Sequence, residues 1–422
     1  MGKLRLTAKE RRRLELFVRV KRGAMSLRKA AGLLKLSYRQ TRRTYQRYLS
    51  AGSAGLKHGL RDRPSNRGIA PSRRSQVLGL YQAKYGDFGP TLAVEYLGKV
   101  DGEALGVETL RQWLLGAGLW EPQRKRSSHR KWRERKTHFG EMVQMDGSRH
   151  DWFEGRRGWA SLMVLIDDAT NRTFARFFEE ETTAAAMTVF REYVRRQGLP
   201  RSLYVDRDSI YETTRDSTVD EALSAQSPLT QFGRAMVELR VELILAHSPQ
   251  AKGRVERRHG VFQDRLVKAM RLKAIRSLES ANAYLEQEFL ADLNGRFTVQ
   301  ASSATDVHRR VPLGVKLDRV LSFQEQRVVQ NDWTVSWRNR YFQLSSQHRS
   351  LRLAKRRITV LEQLDGTIEL LYQGAKLGWE ELKARPARKV AQSNPKPKTE
   401  TTEPKPAYQP AADHPWRRSS GR

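Results

Sequence analysis

The sequence predicts a multidomain chain with three textures: N-terminal all-α helix-turn-helix units, a central α/β core and a C-terminal small β-barrel. Three observations predict it. Capped helix patterns fill the first 120 residues. From Glu141 onward, apolar strands alternate with amphipathic helices. Beyond residue 315, short strands crowd around the hairpin signal Asp365-Gly366. At 422 residues the chain has room for about three domains.

Residues 1–55 read as one helical DNA-binding domain. Thr7, Ser26 and Ser37 are each placed to accept a hydrogen bond from the open backbone N–H groups of a helix start. The first helix carries Leu14, Phe17 and Val18, the second Leu27, Ala30, Ala31 and Leu34, and the third runs from Tyr38 to Leu49 after a tight turn. Helix, turn, helix is a DNA-reading motif. The third helix presents Arg39, Gln40, Arg42, Arg43 and Arg47, with Tyr45 and Tyr48 among them, a mixture able to reach phosphates and base edges. Residues 56–70, with Arg61, Arg63 and Arg67, form an extended basic linker suited to a groove. A second helical domain over 71–121 has helices at Arg74–Tyr85, Thr91–Leu97 and Val107–Gly116, broken at Phe88-Gly89-Pro90, with Trp113, Leu114 and Leu119 in its core. A second basic linker spans 122–138. Eight of the thirteen residues from Arg124 to Lys136 are Lys or Arg, including Arg124, Lys125, Arg126, Arg130 and Lys131. Such a run tracks a polyanion better than it packs.

The core is expected over 139–300. Strands are read at Met142–Met145, Trp159–Ile166, Thr173–Phe178, Leu203–Val205 and Val241–Leu245; helices at Thr182–Arg196, Leu229–Leu239 and Lys252–Leu272. The order β-β-β-α-β-α-β-α is that of a ribonuclease H-like core. A small β-barrel is expected over 315–380, and a tail rich in Pro, Lys, Thr and Ser over 385–422 is expected to be disordered.

Net charge is +33, from 79 Lys and Arg against 46 Asp and Glu. Solubility alone calls for about 2–8 charges in a small domain. The excess therefore points to double-stranded DNA as partner, held by counterion release. With no cysteine, disulfides and thiolate metal sites are excluded. The longest aliphatic run, Leu162 to Ile166, falls far short of the ~20 residues of a membrane helix, so no membrane role is expected. No signal-peptide core follows the N-terminus, which points to a cytoplasmic protein.

Three acids far apart in sequence carry the candidate chemistry. Asp146 ends the first strand, Asp206 follows the fourth, and Glu256 lies in the first turns of the last core helix. Converging carboxylates supply hard oxygen ligands for two Mg²⁺ (or Mn²⁺) ions and so for phosphoryl transfer. Asp208 is a rival for the second position. Asp167 and Asp168 read as turn formers, and His259, on the apolar stripe of its helix, as a core residue. Lys252, Arg254, Arg257 and Arg258 flank Glu256 and are expected to bind phosphates beside the scissile bond.

The segments Asp146-Gly147-Ser148, Leu203-Tyr204-Val205-Asp206 and Ser248-Pro249-Gln250-Ala251-Lys252-Gly253-Arg254-Val255-Glu256-Arg257 make the chain resemble DDE transposases with a retroviral integrase-type catalytic core. His150-Asp151-Trp152-Phe153 sharpens this to one group of bacterial insertion-sequence transposases. The resemblance implies metal binding and catalysis by Asp146, Asp206 and Glu256. It implies recognition of an insertion sequence's ends, DNA cleavage and strand transfer, a homodimer or higher oligomer on DNA, and association with the nucleoid. The chain departs from the pattern after the second acid, where Arg207-Asp208 stands. Other readings are a catalytically silent DNA-binding regulator derived from a transposase, and a ribonuclease H-type nuclease; the latter leaves the N-terminal helical units unexplained.

Overall fold

The computed structural model describes residues 6–57, 68–122, 134–216, 228–246 and 253–383. It divides into two compact units, Met1–Arg126 and Ser127–Arg422. Arg61, Arg63, Arg67, Arg124, Lys125, Arg126, Arg130, Lys131 and Lys252 lie outside the described residues, as does the 385–422 tail. Among the described residues no helix is long and apolar enough to cross a membrane.

In the first unit, α1 (Ala8–Lys21), α2 (Leu27–Leu34) and α3 (Tyr38–Ala51) begin at the three expected caps. Thr7 and Glu10 form a reciprocal capping box. Lys35 turns the chain through a left-handed conformation (φ 52°), and Leu36 N–H donates to the Ala31 carbonyl at 3.1 Å, closing α2 just before α3 starts. Phe17 is the fully buried centre, 5.3 Å from the Tyr45 ring and 6.0 Å from Tyr48. The two tyrosines therefore serve packing rather than base contact. Arg39, Gln40, Arg42, Arg43 and Arg47 are all exposed. Further on, α4 (Pro71–Lys84), α5 (Pro90–Val100) and α6 (Val107–Gly116) enclose Tyr81, Tyr85, Phe88, Leu97, Leu110 and Leu114. Pro71 and Pro90 sit in the first turns of their helices, where a missing N–H costs nothing.

The second unit holds a five-stranded sheet of order β3-β2-β1-β4-β5. Strands β1 (Met142–His150), β2 (Ala160–Asp167) and β3 (Thr173–Phe178) form an antiparallel meander, and β4 (Ser202–Val205) and β5 (Glu242–Leu245) run parallel to β1. This is the ribonuclease H-like order. Alternation sorts the side chains. Val143, Met145, Leu203 and Val205 join one core with Ala186, Val189 and Phe190 of α7 (Thr183–Gln197) and Phe232 and Met236 of α8 (Gln231–Glu238). On β1 and β2 packs α9 (Gly253–Leu272), through Val255, Phe262, Leu266 and Met270.

The edge of the sheet at β3 is closed by two asparagines. Asn282 of α10 (Leu278–Tyr284) accepts from Phe177 N–H at 2.7 Å and donates to its carbonyl at 3.1 Å. Asn294 of α11 (Leu290–Phe297) does the same for Thr173, at 2.8 and 2.9 Å. An open edge row of backbone groups is thereby satisfied.

The expected β-barrel is corrected to two sheets that do not close. After α12 (Leu317–Val320), β6 (Phe323–Val328), β9 (Arg357–Glu362), β10 (Ile368–Tyr372) and β11 (Ala375–Leu377) make a four-stranded sheet. Strands β7 (Thr334–Trp337), β8 (Arg340–Leu344) and β12 (Trp379–Leu382) make a three-stranded one. Val335 and Phe342 from one sheet meet Val360 and Leu370 from the other. Gly378 links β11 of one sheet to β12 of the other, and its N–H donates to His348 Nε2 at 2.7 Å. Between β8 and β9 the chain forms a 3₁₀ turn, Ser346–Leu351.

Replacing Asn294 by Ala should lower the stability of the chain by about 1–3 kcal/mol, the usual cost of leaving buried partners unsatisfied. Urea denaturation followed by tryptophan fluorescence measures it; an unchanged midpoint would show that water serves Thr173 equally well.

Candidate active site

The pairing of β1 with β4 sets the geometry. Met142 lies opposite Ser202, Val143 opposite Leu203 and Gln144 opposite Tyr204. Continued for two residues, the same register brings Asp146 level with Asp206. Since Val143, Met145, Leu203 and Val205 point into the α7 core, Asp146 and Asp206 point to the opposite face, where α9 lies. Both are half-buried.

On α9, His259 approaches Asp146, Nε2 to Oδ2 at 3.3 Å. The two are close but not aligned, and neither ring nitrogen of this buried histidine makes a hydrogen bond among the described residues. His259 is thus part of the helix's buried stripe and also borders the acid. Glu256 stands three residues earlier, one turn along the same helix side, and is exposed. Among the described residues no three His, Asp or Glu side chains draw close enough to hold a metal ion. Extending the β1–β4 register sets Asp146 level with Asp206, and Glu256 stands on the helix that packs on β1 and β2, but the three are not gathered into one cluster. Uncompensated carboxylates repel each other, and residues 247–252, which lead into α9, lie outside the described set.

Asp208 is committed elsewhere. Its Oδ1 accepts from Ile210 N–H at 2.9 Å and its carbonyl from Tyr211 and Glu212 N–H, both at 2.9 Å, so it shapes the exposed turn after β4.

Two residues that sequence reasoning missed border the site. A Cβ at Gly147 would overlap the carboxylate of Glu181, so glycine there leaves room for that side chain. Tyr211 is buried, with its hydroxyl free of hydrogen bonds among the described residues. Burial first, then the charges of Glu181, Asp206, Asp146 and Asp208 in turn, push its phenol well above the ordinary range. In register Gly147 lies across from Met163 and, one strand further, from Arg176, and Glu181 follows three residues beyond the end of β3 at Phe178.

Asp167 and Asp168 are more than turn formers; both are fully buried. Asp167 accepts from Gly140 N–H at 2.9 Å and from the Thr170 N–H and hydroxyl at 2.8 and 2.7 Å. Asp168 accepts from Gln144 Nε2 and Arg254 Nε, both at 2.8 Å, and from Lys136 N–H at 2.9 Å. Arg254, expected to face phosphate, is thus a half-buried ion-pair partner of Asp168. Arg258 is buried as well, lies 5.2 Å over the Phe297 ring, and has its pKa drawn down to about 10 by burial. Arg257 alone of the expected trio is exposed.

Comparison with known proteins places this arrangement. A homeodomain-like domain family matches residues 7–57. A putative transposase of Sinorhizobium fredii is 36% identical over 381 residues, which are 89% of this chain and 82% of that protein. The chain belongs to the transposase family. The transposase for insertion sequence IS1202 of Streptococcus pneumoniae is 25% identical over 95% of this chain and 92% of its own length. Among solved structures, this transposase matches the catalytic core domain of the HTLV-2 integrase, solved in complex with magnesium, at 15% identity and TM-score 0.28, over 35% of this chain and 84% of that one. It matches a simian T-cell lymphotropic virus intasome at 12% identity and TM-score 0.33, over 73% and 97% of the two chains.

Replacing Asp168 by Ala in this transposase strands Arg254 in the interior and should cost about 3–5 kcal/mol. Asp208→Ala, at an exposed turn, should cost no more than about 1 kcal/mol. Urea midpoints of the two variants give the comparison; equal losses would refute the structural role of Asp168.

Proposed function

We propose that this transposase binds the ends of its insertion sequence, cuts the DNA there and joins the freed 3′-hydroxyls to target DNA. The observation that supports the reading is the shared level and face that the β1–β4 register gives Asp146 and Asp206, beneath the helix that carries Glu256 in its first turn. Oxygen-only donors on three elements fit a hard divalent cation, Mg²⁺ or Mn²⁺. Asp146, Asp206 and Glu256 would hold two such ions, which when bound lower the pKa of the attacking hydroxyl and stabilise the leaving oxygen. In cleavage, water adds to phosphorus and the P–O3′ bond breaks, leaving a 5′-phosphate and a 3′-hydroxyl. In joining, that hydroxyl adds to a target phosphorus and the target's P–O3′ bond breaks. The nucleophile's proton is lost in each step and one is gained by the departing 3′-oxygen.

The chain's own residues hold the reactants. Asp146 sits on β1 and Asp206 directly follows β4, so the sheet fixes where both acids stand before substrate arrives. Glu256, exposed on the first turns of α9, is free to swing toward them. Arg39, Gln40, Arg42, Arg43 and Arg47 read the element's ends from α3. Arg61, Arg63, Arg67, Arg124, Lys125, Arg126, Arg130, Lys131 and Lys252 follow the backbone from the basic segments. Joining two ends needs two sites, so the working form is a homodimer or larger assembly on DNA.

Incubation of the protein with Mg²⁺ and a plasmid bearing the element's ends tests this. Wild type should yield nicked and joined products, and Asp146→Asn, Asp206→Asn and Glu256→Gln should each lose at least about 10³-fold in rate while still binding DNA, as expected for loss of a group acting in the transition state. Asp208→Asn should stay near wild type. Equal products from wild type and Glu256→Gln would sink the enzymatic reading, and binding without any product from wild type would leave a silent regulator. Deleting residues 1–120 should abolish footprints at the element's ends while leaving retention on unrelated duplex; an unchanged footprint would contradict the role given to α3.

A further inference from the structure

Against the first turns of α9 lies a pocket of about 190 Å³ walled by arginines. Arg135, Arg254, Arg257 and Arg258 line it, with Asn171 and Phe297. Of the four, Arg254 is paired with Asp168. Arg135 donates to the Ala169 carbonyl at 3.2 Å, Arg257 to the Gly253 carbonyl at 2.7 Å and Arg258 to the Asn171 carbonyl at 3.3 Å. Among the described residues none of these three has a carboxylate partner. Like charges meet here at a cost: burial first, then Arg254 and Arg257, hold Arg135 below the ordinary arginine range, against the pull of Asp168 and Asp167. Arg258 is 6% exposed, so its charge has lost most of its water without gaining a counter-ion. A buried cation in that condition is stabilised by an anion that reaches it. Phe297, with Arg258 at 5.2 Å and Arg265 at 5.4 Å from its ring, fixes the floor.

We propose that this pocket is a phosphate site that seats one backbone phosphodiester of the DNA, with Arg135 and Arg257 as the gripping pair above Arg258. Guanidinium forks suit phosphate oxygens in the way a point charge does not. Arg254, Arg257 and Arg258 share the pocket's side of the first turns of α9, and Glu256 projects from the other side of those turns. This rests on the proposed action on DNA.

The test uses the full chain with both Arg135 and Arg257 changed to Gln, leaving the Arg254–Asp168 pair and Arg258 in place. Duplex affinity is measured against salt concentration, alongside Glu256→Gln and the single variant Arg257→Gln, whose exposed side chain makes loss of folding no concern. The double variant should bind about tenfold more weakly on every sequence tried. Its slope of log affinity against log salt should be shallower by about one, as expected when one fewer phosphate is neutralised. Glu256→Gln should keep the wild-type slope. An unchanged slope and affinity would overturn the pocket's assignment, and if Glu256→Gln is inactive in cleavage at the same time, the proposed reaction stands without it. Activity retained by Glu256→Gln would instead defeat the reaction, whatever the slope. Inorganic phosphate at fixed ionic strength supplies the other arm: if it raises the melting temperature of wild type but not of the double variant while DNA affinity is the same in both, the site takes free phosphate and the backbone assignment is wrong.

Discussion

The buried carboxylate of Asp168 is the joint on which the core depends. It accepts from Gln144 on β1, from Arg254 on α9 and from the backbone of Lys136 where the chain enters the core. Gln144 stands two residues before Asp146, and Arg254 two residues before Glu256. One side chain therefore sets the level of α9 against the sheet, and with it the height of Glu256 above the two strand acids. Such a joint is costly to desolvate and is retained where position matters more than net stability. Its neighbour Asp167 does the same for the turn into β3, and burial raises its carboxyl above the ordinary range even against the hydrogen bonds of Gly140 and Thr170.

Much of the fold was legible because its signals are local. The caps at Thr7, Ser26 and Ser37 and the apolar runs of β2 and β3 follow from hydrogen-bonding needs and side-chain period, which a sequence displays directly. The position of β4 beside β1 was legible too, since the element order implies it. What the sequence hid is what depends on long-range packing. Asp167-Asp168 reads as a turn pair because nothing nearby reveals that Arg254, 86 residues away, closes on it. Tyr45 and Tyr48 read as DNA-facing because their partner Phe17 lies on another helix. Strand spacing suggested a barrel, but which strands pair, and so whether the sheets close, depends on long-range contacts that spacing does not record.

The arginines divide by the same logic. A charge of +33 marks a DNA-binding chain but does not say which side chains meet DNA. Arg254 is spent within the core, Arg258 is stacked on Phe297, and Arg196 lies 4.8 Å over Phe174. Those on α3 stay in water, at the surface of their helical unit. Position relative to a carboxylate or a ring, rather than sequence neighbourhood, separates structural cations from those available to phosphate.

The central claim is that Asp146, Asp206 and Glu256 hold divalent cations together. Diffraction from crystals of the full chain soaked in Mn²⁺, read at the manganese absorption edge, tests it most directly. The account predicts an anomalous peak bridging Asp146 and Asp206, with Glu256 turned toward it and no peak at Asp208. Manganese at Asp208, or bound only away from the β1–β4 junction, would contradict it.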